Sequence, residues 1–204
     1  MSFTGICPRF GYVYPVPNYY PSVQGISRAA LELSNHIRML WEQHVFWTRL
    51  VISGIVFGLP DIDFTTRRLL RNPVDFENAL KVYYGNEAAK KFADLFTGHL
   101  VLAAQLVKAA KAGDNKAAAD AEKKWYANAD EIAAFLGSIN PYWSQASWRE
   151  MLHQHLALTK AEAVAMLNKD YSASIATFDE IEKQALVMAD TMTAGIVRQF
   201  PGMF

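Results

Sequence analysis

The chain of 204 residues is 51% hydrophobic and 20% charged, and its twenty basic residues balance twenty acidic ones. This composition is typical of a folded globular protein and excludes a disordered chain. With no net charge, the surface has no overall field that would concentrate nucleic acid or anionic lipid, so we expect neither as a partner. The length suits one domain with a substantial core.

Cysteine content and hydropathy indicate a soluble protein of a reducing compartment. Cys7 is the only cysteine, which excludes an internal disulfide and a thiolate metal cluster within one chain. The first residues have no basic start followed by an apolar segment, so no secretion signal is expected. The longest uncharged apolar run, LVISGIVFGL at 50–59, covers about half of the roughly 20 residues that a membrane-spanning helix needs. We therefore expect a cytoplasmic protein.

Residues 1–25 are predicted to form an extended arm, and residues 26–204 a helical bundle domain. Four prolines and six tyrosines or phenylalanines precede Gly25, a composition that favours extended backbone over a long helix. An arm so aromatic would be costly to leave in water. We expect it to lie on the bundle or to strap a neighbouring subunit into a homo-oligomer, with a recognition tail as the alternative.

From Ser27 onward, apolar residues recur at the three- and four-residue spacing of amphipathic helices. The first helix is expected to end at 59–61, and a short helix, FTTRRLLR, follows. Further helices are predicted at 72–85, 86–112, 115–139, 147–168 and 170–200. Their caps are assigned to Asn72, Asp114, the S-W-R-E box opened by Ser147, and Asp170. Strand-period alternation is absent, so the predicted class is all-α, an up-and-down antiparallel bundle of about six helices.

Three histidines occupy equivalent places on the apolar faces of three long helices. His44 and His99 are 55 residues apart, and His99 and His155 are 56 apart. The local strings HVFWT, HLVLA and HLALT are alike, and Asp114 and Asp170 each lie fifteen residues beyond a histidine. This regularity predicts an internal repeat of about 55 residues, with one helical hairpin per unit.

Hairpin geometry predicts what faces each histidine. An equal count up one helix and down the next pairs His99 with Asn128. The same count from His155 arrives at Gln184, within about two residues, and Glu182 is the nearby residue on the predicted inward stripe. A carboxylate at Glu182 would face His155. Burying an unpaired polar group costs roughly 1–3 kcal/mol, so the layer should be internally hydrogen-bonded, hold an ion or line a cavity.

The leading hypothesis for this layer is a metal or small-ligand site. Three neutral imidazoles and one carboxylate suit zinc, iron, manganese, nickel or copper, and bundle cores commonly hold such sites. Asn128 and Trp47, which flanks the layer one turn from His44, are the residues expected to contact the bound group. The predicted metal ligands are His44, His99, His155 and Glu182.

Two alternatives remain open. The histidines could be core residues satisfied by Asn128, Glu182, Thr48 or backbone carbonyls, in a structural or oligomerising bundle without a ligand. A three-histidine metal centre with an open position could also activate water, which would make the protein a metal-dependent enzyme. No nucleophile-base-acid set, phosphate loop or dinucleotide fingerprint appears, so no catalytic residue is assigned.

The layer resembles in outline the three-histidine metal site of the DNA-damage-inducible bundle family, some members of which are thiol transferases. That family carries two of its histidines four residues apart on one helix. This chain has no histidines at that spacing. The resemblance therefore extends only to the general arrangement of three histidines in a helical bundle.

Several segments also resemble an uncharacterised family of small helical bacterial proteins, over nearly all of the chain after the arm. These segments are WEQHVFWTRL, RLLRNPVDF, KKWYANADEIAAFLGSINPYW and MADTMTAGIVRQFP. Members often carry the name acetylglutamate kinase. An amino-acid kinase of that type would need an α/β sandwich with glycine-rich phosphate loops, and neither is predicted here. The resemblance implies a helical fold and no mechanism.

Overall fold

The computed structural model describes residues 25–204, and within that part all regular secondary structure is helical, which confirms the all-α prediction. The predicted arm, including Cys7, lies outside the described residues apart from Gly25. Five long helices and one short one are followed by a terminal 3-10 turn. They are α1 (Arg28–Phe57), α2 (Ile62–Leu69), α3 (Asn72–Lys111), α4 (Asn115–Ile139), α5 (Gln145–Leu167), α6 (Tyr171–Gln199) and the turn Pro201–Met203.

The helices form a closed up-and-down bundle, in which helical segments that follow each other along the chain are antiparallel. α3 itself reverses direction at Gly85, because Phe76 before the glycine packs against Phe92 and Phe96 after it, with ring centroids 5.7 and 5.3 Å apart. Successive hairpins pair α3 with α4, α4 with α5 and α5 with α6, while α1 closes the bundle by packing against both α3 and α6. The short α2 packs chiefly on α1. Each long helix turns a buried apolar face inward, which produces one large core cluster and a smaller one. No helix of residues 25–204 has the length and hydropathy needed to cross a membrane.

Two predicted helix starts are wrong by one to three residues, whereas the predicted helix end at Gly85 is confirmed. Asn72 is the first helical residue of α3 and not its cap, which is Arg71. The cap of α5 is Ser144, whose hydroxyl accepts a hydrogen bond from the Ser147 amide, so the assumed capping box begins one turn late. At Gly85 the backbone leaves helical geometry (φ 76°, ψ 172°), and a second helical segment begins directly after it and runs back along the first. Only glycine adopts this conformation without strain.

The predicted hairpin repeat is visible in the α3–α4 and α5–α6 turns. Asp114 and Asp170 cap α4 and α6, and each side chain accepts a hydrogen bond from the amide three residues later. The residues just before them, Gly113 and Lys169, both adopt a left-handed conformation, with φ of 73° and 62°. The two turns are therefore built alike at a separation of 56 residues.

Gly195 on α6 lets a tryptophan close the core. The indole of Trp143, in the α4–α5 connection, lies against Gly195 and donates a hydrogen bond of 3.2 Å to the carbonyl oxygen of Thr191. A methyl group at Gly195 would overlap the indole ring. We expect Gly195→Ala to lower the free energy of unfolding by about 1–3 kcal/mol, measured by urea denaturation. Gly202→Ala, where the added carbon meets nothing, is the control and should change it little.

Candidate functional site

The three histidines lie inside the bundle, on α1, α3 and α5. His44, His99 and His155 are each at most 3% exposed. The Nε2 atoms of His44 and His155 are 3.4 Å apart. The ring of Phe96 packs against both His44 and His99, with centroids 4.9 and 6.2 Å away. Two imidazoles thus meet directly, and the third contacts the same aromatic ring.

The side chain of Asn128 on α4 orients His99. Its amide nitrogen donates a hydrogen bond of 3.1 Å to the carbonyl oxygen of Leu95, one turn before the histidine. This bond fixes the amide so that its oxygen faces His99, and Nδ1 of His99 lies 2.9 Å from that oxygen. The pairing of His99 with Asn128 that the hairpin count predicts is confirmed as a contact.

Gln184 on α6 orients His155 in the same way. Its amide nitrogen donates to the carbonyl oxygen of Met151 at 2.8 Å, and its oxygen lies 3.1 Å from Nδ1 of His155. The prediction that Glu182 faces His155 is wrong. Two residues apart on a helix, Glu182 and Gln184 lie on opposite edges of the buried stripe, about 160° apart. Glu182 is half-buried near Glu42, whose pKa its charge helps to raise.

These bonds fix the tautomers of two histidines. An amide oxygen only accepts hydrogen bonds, so the proton lies on Nδ1 of His99 and of His155. The Nε2 atom of each neutral ring therefore carries a lone pair. In His155 that lone pair is directed at the Nε2 of His44.

The first repeat unit contains a third carboxamide, which the sequence analysis missed. Asn72 is completely buried, and its amide nitrogen donates a hydrogen bond of 3.0 Å to the carbonyl oxygen of Leu40. Leu40 stands one turn before His44, as Leu95 stands before His99. In this unit, however, neither Nδ1 of His44 nor Oδ1 of Asn72 has a hydrogen-bond partner within residues 25–204. His44 therefore carries its proton on Nε2, from which it donates a hydrogen bond to the lone pair on Nε2 of His155.

Burial keeps all three imidazoles neutral. It lowers the pKa of His99 to about 3 and that of His155 to about 4, while the hydrogen bonds that the two rings donate to Asn128 and Gln184 partly oppose the shift. Burial also lowers the pKa of His44, and the neighbouring His155 and His99 lower it further. At neutral pH each ring can thus serve as a base or a ligand without first losing a proton.

Buried polar atoms without a partner gather around this layer. Within the described part of the chain, besides His44 they include the indole nitrogens of Trp41 and Trp125 and the hydroxyl of Thr48. Buried polar groups are almost always paired with protein or with ordered water. Such a concentration in one region is typical of a site that holds a polar ligand or an ion.

Trp41, and not the predicted Trp47, is the tryptophan beside His44. The rings of Trp41 and His44 meet edge to face with centroids 5.6 Å apart. Trp47 packs against Phe46 and lies under the guanidinium of Arg68, 5.0 Å from its ring centre. It stands at the edge of the buried stripe of α1, where the helix turns toward solvent.

The predicted four-ligand set is not assembled in this structure. Within residues 25–204, no group of three or more histidine, cysteine, aspartate or glutamate side chains is arranged to hold a metal ion. Glu182 lies near Glu42 on another surface, and His99 contacts the ring of Phe96. The metal hypothesis therefore remains a prediction that depends on the His44 and His155 pair.

A buried ion pair, also missed in the sequence, lies two turns along α5 from His155. The guanidinium of Arg49 on α1 binds the carboxylate of Glu162, which is 1% exposed, and also donates to the carbonyl oxygen of Ser174 on α6. Burial raises the pKa of Glu162 to about 7, and Arg49 opposes this rise. In the sequence both residues look like ordinary solvated charges.

No protein family, curated protein or solved structure matches the chain.

Proposed function

We propose that the bundle binds a transition-metal ion through the Nε2 atoms of His44 and His155, with His99 as a third ligand. The observation that carries this proposal is the 3.4 Å separation of the first two Nε2 atoms. Two nitrogen ligands about 2.1 Å from a tetrahedral ion lie about 3.4 Å apart. Without an ion, the same separation is that of a hydrogen bond donated by Nε2–H of His44 to Nε2 of His155.

The carboxamides support this assignment. Histidine ligands to metals usually donate their other ring N–H to an oxygen acceptor, which holds the ring and makes Nε2 more basic. Asn128 and Gln184 accept such bonds from His99 and His155. Asn72 has a free oxygen near the corresponding place beside His44. Because the pKa values of the ligands are low, the ion would displace few protons at neutral pH.

The ligand chemistry favours zinc and similar ions. Without Glu182 the donor set contains only neutral nitrogens, which suit zinc, nickel, copper or iron better than manganese, an ion that prefers oxygen. His99 has to approach the pair on binding, and Phe96 is the ring that must give way. Three protein ligands would leave a fourth position for water or a substrate, so a metal-dependent activity is compatible with the proposal.

Cobalt titration of the untagged, metal-stripped protein tests this function. We expect one tetrahedral Co²⁺ per chain, seen by its visible absorption and displaced by Zn²⁺. His44→Ala and His155→Ala should abolish the signal, and His99→Ala should weaken binding at least tenfold. The matched controls are His36→Ala, at an exposed histidine, and His153→Ala, whose side chain binds Asp130. Failure to bind cobalt, or equal binding by His44→Ala, would contradict the proposal.

The alternative is a structural layer without a ligand. Asn72, Asn128 and Gln184 each tie one helix to a backbone carbonyl of another, which would fix the relative heights of the helices. Buried polar groups can specify register in this way. A bundle that binds no metal but loses its cooperative melting when Asn128 becomes Leu would support this role.

We further propose a cytoplasmic setting in a bacterium. The single cysteine, Cys7, is typical of a chain that does not depend on disulfides, and the segments quoted above resemble a bacterial family. Homo-oligomerisation through the arm at 1–25 also remains a prediction.

A further inference from the structure

A second feature of the interior is an apolar cavity of about 120 Å³ between α1, α3, α4 and α5. It begins one turn beyond the histidine layer. Trp125 separates the two, since its ring lines the cavity and lies 5.4 Å from that of His99. The rest of the wall is mostly aliphatic, including Ile52, Ala103, Leu106, Val107 and Ala163.

Few polar groups reach this cavity, and most of them are already satisfied. The hydroxyl of Thr159 donates to the carbonyl oxygen of His155 at 2.9 Å. Lys160 and Glu122 also contribute to the lining, and they bind each other at 2.6 Å and are partly exposed. Among these groups, only the indole N–H of Trp125 has no acceptor within the described residues. A buried water needs two to four polar partners, so this lining does not suit one.

We propose that this cavity binds a small neutral apolar molecule, or the apolar end of a larger one, about the size of benzene. Apolar cavities of about 150 Å³ in protein cores stay dry and bind benzene or xenon, because the ligand restores the dispersion contacts that the wall lacks. The available volume here is close to that size. A charged ligand is disfavoured, since its ionised group would lose hydration without gaining a partner in the wall.

The ion pair between Lys160 and Glu122 lies at the rim of the cavity, where we expect a ligand to enter. Lys160 on α5 and Glu122 on α4 join two helices across the cavity, with side chains 41% and 31% exposed. Because exposed pairs contribute little stability, their separation would open a path at small cost. The proposal does not depend on a metal ion at the histidine layer.

Thermal unfolding with benzene as the probe tests this site. At a benzene concentration ten times its dissociation constant, we expect the Tm of the wild type to rise by about 3–6 °C. Benzoate, the charged analogue, should produce no rise. Ala163→Leu fills the cavity with its own side chain, so this variant should melt at or above the wild-type temperature and lose the benzene response. Ala161→Leu, two residues away on the exposed face, should keep that response.

Ala103→Leu gives a second test from α3, in case Ala163→Leu fails to fold. No benzene response in the wild type would overturn the proposal, as would a response that persists in both filled variants. A benzoate shift as large as that of benzene would overturn the neutral ligand class and indicate an anionic amphiphile bound by Lys160. Cobalt binding by Ala163→Leu reports on the histidine layer separately.

Discussion

Arg49→Met is expected to lower the free energy of unfolding by about 3–5 kcal/mol at pH 8, because it leaves a buried carboxylate without its partner. Glu162 is almost completely buried, and the guanidinium of Arg49 is its only cationic partner among the described residues. Arg49 also packs over the ring of Phe178, 4.7 Å from its centre, and donates to Ser174. One side chain thus joins α1, α5 and α6.

The loss should depend on pH in a defined direction. Burial already raises the pKa of Glu162 to about 7, and removal of Arg49 would raise it further. A group whose pKa is raised in the folded state contributes stability at low pH and loses it as the pH rises. In Arg49→Met, Glu162 can stay protonated at pH 6. At pH 8 it must either be ionised without a partner or keep its proton, and both lower the free energy of unfolding. Urea denaturation at the two pH values should therefore show the larger loss at pH 8.

Two further variants distinguish the buried charge from the loss of an arginine. Arg38→Met removes a pair with Asp190 whose side chains are 38% and 56% exposed, and it should cost less than about 1 kcal/mol. Arg49→Met combined with Glu162→Leu removes both charges and should recover much of the stability. If Arg49→Met lowers the free energy of unfolding no more than Arg38→Met does, the buried ion pair does not contribute the stability that its burial indicates.

The fold could be predicted because its signals are local. Amphipathic spacing locates the helices, and caps such as Asp114 and Asp170 mark the turns. An equal count of residues up one helix and down the next even predicted the contact between His99 and Asn128. The exact ends of the helices were harder to predict. Ser144 and Ser147 are both residues that can cap a helix, and only the conformation of the preceding turn decides between them.

The site could be predicted only in part, because its details depend on rotation between helices. A count along the hairpin reached the height of Gln184, but a preference for charge selected Glu182 on the other edge of the stripe. Asn72 resembled a helix cap, and its bond to Leu40 depends on packing between α1 and α3. Arg49 and Glu162 are far apart in sequence and show no pattern that would pair them.

Acid is expected to unfold the metal-free protein by charging its buried histidines. In the folded state burial holds the pKa of His99 at about 3 and that of His155 at about 4, and it lowers the pKa of His44 as well. Unfolded histidines titrate near pH 6.5. Below that pH the unfolded chain binds more protons than the folded one, so stability is full above pH 6.5 and falls as the pH drops.

Glu162 acts in the opposite direction over the same range. Its pKa of about 7 in the folded state lies above its usual 4.5, so between these values the folded protein holds one extra proton. Near pH 5.5 the three histidines bind about three more protons in the unfolded state, and Glu162 binds about one more in the folded state. The unfolded chain therefore binds about two protons more than the folded one. The free energy of unfolding should therefore rise by about 2–3 kcal/mol per pH unit between pH 4.5 and 6.

Urea denaturation across this pH range in the presence of EDTA measures the slope. His99→Gln removes one of the buried titrating groups, so it should reduce the slope by about 1.4 kcal/mol per pH unit whatever its effect on stability at neutral pH. His36→Ala, at an exposed histidine on α1, should leave the slope unchanged. A flat profile in the wild type would mean that the interior admits protonated histidines, and the low pKa values and the lone pairs required by the metal proposal would both be wrong.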